Sequence, residues 1–406
     1  MKITKIALTG VRLSANLGGP SLVASTQSVL STVFPDAEYT LFVPVRYYEA
    51  DVALAPKYSI GIAPLSVGCR LLARALIRRF CRILTGSVST NATIKSLEEA
   101  DLLIDIKGIL FADSAGPQRF QDRMRAGFTF VLGKILGKPV IKYTADFGPF
   151  NCKWSRIFAR LYFGHFVDLI LARSEASYQN VKSLGVKTPT MVVPDTAFLL
   201  PCEQGKESEH YRKLRQHSGL VGVSVSYQAR NCALDPGIYL KIMAEFVDYL
   251  IKNHGVYVVL IPNAISKESN SDALIAEQIC AELANNHCEV LCTENLTAQE
   301  LKGVIGECDA IVACRYHTII AALSLAIPTV AISWHHKYAE VLDLFQQEHR
   351  VLDIKELRLE DLVRSFEDLW ENREQIRQTI SSFVPDVKDR IATGARAVYD
   401  TVSCHS

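Results

Sequence analysis

Short apolar runs bounded by turn residues recur along this chain, and segments with helical periodicity fill the gaps between them. In the first half the runs are Ile3 to Leu8, Tyr39 to Pro44, Leu102 to Ile106, Val140 to Tyr143, Leu169 to Ala172 and Thr190 to Val193, with helix-period segments over Ser21 to Phe34 and Phe120 to Leu136. Runs that stay apolar rather than alternating suit strands buried on both faces, as in a parallel sheet covered by helices. The second half repeats the pattern. Its runs lie near Val221 to Ser226, Tyr257 to Pro262, Glu289 to Cys292, Ala310 to Ala313 and Thr329 to Ser333, and its helices over Ile238 to Asn253, Ser271 to Asn285, Thr297 to Gly306 and Thr318 to Ala326. The expected fold class is therefore α/β, with two Rossmann-like domains facing across a cleft. The polar stretch Cys202 to His210 marks the break between them. The expected boundaries are an N-terminal domain over 1–200, a linker over 201–218, a C-terminal domain over 219–384 and a C-terminal helix over 385–406 packing back on the first domain.

A length of 406 residues supports two cores rather than one. With 44 Lys and Arg against 43 Asp and Glu, no global field argues for nucleic acid, and any anion site must be local. Eleven cysteines without a Cys-x-x-Cys pair point to reduced thiols in the cytoplasm. His287, Cys288 and Cys292 are close in sequence, but their spacing is poor for a metal, and neither a metal nor a cofactor is expected. The apolar run at the N-terminus is too short for a signal peptide, and no segment approaches the roughly 20 apolar residues of a spanning helix. A soluble or peripheral protein is expected.

The densest chemistry lies in Cys314-Arg315-Tyr316-His317-Thr318, between an apolar run and a helix-like segment. There a guanidinium and an imidazole meet the free N–H groups and positive end of a helix, a ready site for a small anion. Arg315 forks onto a carboxylate or phosphate with His317 moving a proton nearby, or Arg315 is a structural ion pair and His317 caps backbone. Trp334-His335-His336-Lys337-Tyr338 ends the next run, and Asn263 follows an earlier one, on the same expected sheet edge. His336 and Lys337 read equally as an exposed basic loop.

In the first half Asn16-Leu17-Gly18-Gly19-Pro20-Ser21 follows the first strand and opens a helix, either as a turn or as a ligand loop. Lys107, Asp105, Asp113 and Asp146 follow later strands and are candidates for acceptor binding or proton transfer, although each is commonly a turn or cap residue. Arg173, after Leu169 to Ala172, is a second anion contact or a structural pair. Between Gly61 and Gly86, Arg70, Arg74, Arg78 and Arg82 recur every four residues with apolar cover beside them. Such a helix suits an anionic membrane or a lipid diphosphate, or is simply a solvated cationic face.

Taken together, these motifs resemble the polysaccharide pyruvyl transferase family. The resemblance rests on the Asn16 to Ser21 loop, Gly148-Pro149-Phe150, Arg173-Ser174-Glu175-x-Ser177, Arg315-Tyr316-His317, Ala326-Ile327-Pro328-x-Val330 and Ser333 to Tyr338, in the family's order. Tyr316 stands where leucine is common, and Lys107-Gly108-Ile109 stands where many members have a glycine run, which leaves the acceptor open. The resemblance implies a fold similar to glycosyltransferase type B and transfer of pyruvate from phosphoenolpyruvate onto a sugar as a ketal. It implies a donor site at Arg315 and His317, with Tyr316, Arg173, His336, Lys337 and Asn263 around it. Asn16, Gly18, Gly19, Ser21, Lys107 and Asp113 fall to the acceptor, and Asp105 or Asp146 to deprotonating its hydroxyl. The acceptor that the resemblance implies is a sugar of a polysaccharide or a lipid-linked precursor; membrane contact at the inner face is an expectation from the spacing of Arg70, Arg74, Arg78 and Arg82. Two alternatives stand beside this reading: a nucleotide-sugar glycosyltransferase of the same fold, and a noncatalytic glycan-binding protein.

Overall fold

The computed structural model describes residues 3–84, 91–111, 120–263, 271–283 and 287–404, apart from the side chains of residues 69 and 80–84. Asp113 and the Arg82 side chain lie outside what is described. The chain divides into two compact units, one of residues 1–14, 22–196 and 389–406, the other of 15–21 and 197–388.

The first unit holds β1 (Lys5–Thr9), β2 (Glu38–Pro44), β3 (Gly61–Leu65), β4 (Leu102–Asp105), β5 (Ile109–Leu110), β6 (Val140–Phe147), β7 (Leu169–Ala172) and β8 (Thr190–Val192). They form one sheet in the order β3-β2-β1-β4-β6-β7-β8, with β5 beside β6. All these pairings are parallel. Helices Cys69–Leu84, Ala92–Glu99, Phe128–Ile135, Lys153–His165 and Glu175–Lys182 supply Leu71, Ala75, Leu97, Leu132, Phe163 and Val181 to a core shared with Ala7, Phe42, Leu103, Val140 and Ile170 of the strands. Each such fully buried Leu or Phe contributes about 1.5–3 kcal/mol, which is what holds these amphipathic segments helical. The long C-terminal helix, Arg373–Ser403, runs through Pro385. Its last turns meet β8's continuation, where a Cβ on Gly394 would sit 2.8 Å from Val193 Cγ1, so glycine permits the approach.

The second unit holds β9 (Leu220–Ser224), β10 (Tyr257–Leu260), β11 (Cys288–Val290), β12 (Ala310–Ala313), β13 (Thr329–Ser333) and β14 (Val351–Asp353) in the order β11-β10-β9-β12-β13-β14. These pairings are parallel as well. Each sheet thus starts in the middle, runs to one edge, then returns past its first strand to the other edge. This is the doubly wound Rossmann order, which opens a crevice at the carboxyl ends where the winding reverses, between β1 and β4 and between β9 and β12.

Several local readings change. The expected linker contains helix Lys206–Ser218, and the division between units falls at 196/197. The segment read as one helix over Phe120 to Leu136 is two, Phe120–Ala126 and Phe128–Ile135, parted at Gly127, where the Tyr162 ring occupies the space a side chain would need and Tyr162 OH donates to Met124 O at 2.7 Å. β3 carries Pro64 and is tolerated as an edge strand, where a missing N–H breaks no ladder.

Candidate functional site

In the second unit the carboxyl edge of the sheet gathers Ser224, Asn263, Arg315 and the Trp334 to Lys337 segment. Arg315 is the N-cap residue of helix Tyr316–Ser324, with extended backbone that turns its side chain off the helix axis. Its Nε donates to Asp272 Oδ2 at 2.7 Å and its Nη2 to the other oxygen, a fork-to-fork pair. Asp272 is wholly buried at the start of helix Asp272–Ala281 and also accepts the N–H groups of Tyr227 (2.9 Å) and Asn263 (3.2 Å). The guanidinium is thus locked in plane, with its Nη1 edge left for another partner. Thr318, one turn into the helix, joins the amide of Asn263 (2.5 Å) and the hydroxyl of Ser224 (3.2 Å), tying β9, β10 and β12 ends together. Asn263 O in turn accepts the Leu17 N–H at 3.0 Å.

That last bond brings the Asn16 to Ser21 loop into the second unit, beside the expected donor residues. Asn16 Oδ1 accepts the N–H groups of Gly18 (2.9 Å) and Gly19 (3.2 Å), turning the chain into helix Gly18–Leu30. The half-buried His317 ring lies so close that a Cβ on Gly18 would stand 2.5 Å from its Nδ1. Leu17, Ser21, Asn263, Lys302, His317 and Thr318 line one small cavity. Lys302 is buried there, donating to Leu200 O at 2.8 Å, and burial pushes its ammonium down to about 8.

Beside Arg315, the buried Lys337 ammonium sits among rings, 4.7 Å from the centroid of Tyr316, 5.1 Å from Trp334 and 5.7 Å from Tyr338. Tyr316 stands edge-on to His317, and Tyr338 OH anchors the cluster on Cys314 O at 2.9 Å. Burial pushes the Cys314 thiol up to about 12, so it stays protonated. His336, partly exposed, faces Glu340 at 3.6 Å, while its neighbour His335 is buried.

In the first unit the carboxyl edge carries two buried ion clusters. Asp105, ending β4, is 2.8 Å from the Nζ of the fully buried Lys142, and accepts from Thr9 Oγ1 at 3.1 Å and from Lys107 N at 3.2 Å. Burial holds the Lys142 ammonium below its ordinary range, against the pull of Asp105. Lys107 itself is exposed. Arg173 divides its guanidinium between Asp146 and Asp195, the latter at 2.8 Å, and Ser177 Oγ donates to Asp146 at 3.4 Å. Asp105 and Asp146 each face a buried cation in this state. Asp272, Lys142 and Asp195 escaped sequence reasoning. An acid after a cap serine reads as a cap, and a lysine inside an apolar run reads as an interruption.

Among the described residues no group of three His, Cys, Asp or Glu side chains gathers at metal-ligand spacing. What the second unit's edge offers is the positive dipole end of one helix start, a fixed guanidinium, an imidazole and a caged ammonium. Such an arrangement suits a small anion and includes one imidazole able to carry a proton.

Comparison with known proteins gives the chemistry a lineage. Residues 16–336 match the family model of polysaccharide pyruvyl transferase. The amylovoran biosynthesis protein AmsJ of Erwinia amylovora is 22% identical over 299 residues, 71% of this chain and 70% of that protein. Among solved structures, Anabaena HepE in complex with UDP superposes at a TM-score of 0.58 with 15% identity, covering 99% of this chain and 100% of that one. A Listeria monocytogenes protein described as a UDP-N-acetylglucosamine 2-epimerase reaches 0.66 at 11% identity, covering 100% and 97%. These likenesses establish the fold as similar to glycosyltransferase type B. The chain belongs to the polysaccharide pyruvyl transferase family and is a transferase of polysaccharide biosynthesis.

Proposed function

We propose that this protein moves pyruvate from phosphoenolpyruvate to two hydroxyls of one sugar, in a polysaccharide or lipid-linked glycan precursor, as a ketal with release of phosphate. The observation that carries this reading is the placement of Arg315 and His317 at the start of one helix on the crevice edge of the second sheet. Phosphoenolpyruvate is compact and carries a carboxylate and a phosphate, so it calls for helix N–H donors and paired cations rather than a nucleotide pocket.

In the proposed reaction an acid protonates the donor's C3 and C2 acquires oxocarbenium character. One sugar hydroxyl adds to C2 and gives up its proton. The C2–O bond to phosphate breaks, the second hydroxyl adds to C2, and its proton leaves in turn. One proton ends on the new methyl group and the other departs with phosphate. Arg315, oriented by Asp272, holds the donor anion through its remaining edge and offsets charge in the transition state. His317 transfers a proton or stabilises the leaving phosphate. Tyr316, His336, Lys337 and Asn263 complete the donor side, with Asn16, Gly18, Gly19 and Ser21 directly beside it; Lys107, Asp105 and Asp146 are proposed for the acceptor. Arg173, held by two carboxylates, supports Asp146. The reaction is placed in the cytoplasm, where this donor is made.

Purified protein given phosphoenolpyruvate and a pyruvylatable glycan should release phosphate in step with acceptor modification, and Arg315→Ala should abolish donor binding. Failure of both sinks the proposal. UDP-sugar turnover, or stabilisation by UDP in preference to phosphoenolpyruvate, would favour the nucleotide-sugar reading instead.

A further inference from the structure

We propose that one face of the first unit docks on an anionic lipid bilayer. Helices Cys69–Leu84, Phe128–Ile135, Phe120–Ala126 and Lys153–His165 adjoin in that order as a single layer on the first sheet. Their inner positions feed the core; their outer positions break the usual rule for a solvated surface. Leu76, Ile77, Phe120, Met124, Trp154, Ile157 and Leu161 are all exposed there, Ile77 by 61% and Trp154 by 49%. They are half of the large apolar side chains found exposed among the described residues. Phe120 packs edge-on against Trp154 at 5.3 Å and against Phe158 at 5.4 Å, so the rings form one continuous ledge.

Cations interleave with this ledge. Arg70, Arg74, Arg125, Lys153 and Arg160 are exposed on the same helices, whose sequences contain a single carboxylate, Asp122. The whole chain is nearly neutral, so the excess is local to this layer. Arg78, Arg79 and Arg156 are engaged within the fold, with Glu98, with the carbonyls of Lys134 and Ile135, and with the carbonyl of Ser183, and are left out of the surface.

The combination selects the occupant. A soluble polyanion would satisfy the arginines but has no use for exposed tryptophan, isoleucine and leucine. A second copy of the chain would set cations against cations. A bilayer rich in anionic lipid takes both halves, with rings and aliphatic groups at the headgroup boundary and guanidinium groups on the phosphates. No helix among the described residues is long and apolar enough to cross a membrane, so contact is made by this face. The inference stands on the first unit alone and is independent of the reaction proposed above.

The test is cosedimentation of the full chain with phosphatidylcholine vesicles with and without phosphatidylglycerol, at two salt concentrations. Binding should require phosphatidylglycerol and weaken with salt. R70Q/R74Q should bind about 25-fold more weakly, from about five-fold per cation. W154S/I157S should also lose binding, and vesicles should blue-shift wild-type emission but not that of W154F. All of these positions are exposed, and unchanged melting curves would show the variants folded. Absence of binding to phosphatidylglycerol vesicles, or equal binding by R70Q/R74Q, would overturn the proposal. So would a Trp154 emission that ignores vesicles while heparin binds tightly, which would assign the face to a soluble polyanion; loss of vesicle binding in favour of an acidic protein would do the same.

Discussion

The position of His317 is set from outside its own helix, and Gly18→Ala measures how much that matters. The backbone at Gly18 lies outside the left-handed region, so alanine meets no conformational penalty there. The added Cβ would, however, stand 2.5 Å from His317 Nδ1, 2.8 Å from Cε1 and 3.0 Å from Asn16 Oδ1. Ordinary contact lies near 3.5 Å, so the ring must retreat by about 1 Å. The imidazole is half-buried and can turn, at a cost of about 0.5–1.5 kcal/mol for an off-rotamer angle. The stiffer residue repays part of that, about 0.4–1 kcal/mol, through the unfolded chain. Net stability should therefore change by less than about 1 kcal/mol, a melting shift of only a few degrees. Catalysis is less forgiving, because a 1 Å misplacement of a reacting group can cost about 100-fold. Phosphate release from phosphoenolpyruvate and glycan, read beside a melting curve, separates the two. Full activity in Gly18→Ala with an unchanged melting temperature would refute the idea that His317 acts from this position.

The other predictions follow from the buried pairs. Asp272→Asn should free Arg315, raising KM for phosphoenolpyruvate and lowering kcat; Asp272→Asn with Arg315→Lys should be little worse than either alone, whereas additive losses would mean the two act separately. Arg173→Met leaves Asp146 and Asp195 without their cation and should cost about 3–5 kcal/mol, on the order of 10 °C in melting; a drop of only a degree or two would contradict the pairing. Lys302 is held down to about 8 in the fold against 10.5 when free, so between those values the unfolded chain binds more protons and stability should rise with pH, by up to about 3 kcal/mol. Lys302→Met should flatten that rise in urea titrations at pH 8 and 10; an unchanged slope would place the lysine in a wetter setting.

The architecture was legible because β7, β12 and β13 are uninterrupted apolar runs between turn residues, and their observed limits coincide with the runs themselves. β3 and β14 were not, one carrying a proline and the other only three residues long, and both lying at sheet edges where pairing on one side suffices. The helix at Tyr316 announced itself by its cationic start, but nothing local announced its partner. Asp272 lies 43 residues from Arg315, and the Leu17 N–H reaches Asn263 O across most of the first unit's sequence. Hence the Asn16 to Ser21 loop, which chain order assigns to the first domain, joins the second unit instead. Periodicity reports which face of an element is buried; it carries no record of which distant loop fills the space beside it.

The proposed chemistry has a direct isotopic signature. If an acid of this site protonates C3 of phosphoenolpyruvate and sugar hydroxyls then capture C2, turnover in heavy water should give a glycan ketal whose methyl group carries one deuterium, with one phosphate released per ketal. His317→Ala should suppress the product and its label together. A ketal with no deuterium in its methyl group, or a modified glycan formed from a nucleotide sugar with phosphoenolpyruvate untouched, would contradict the account.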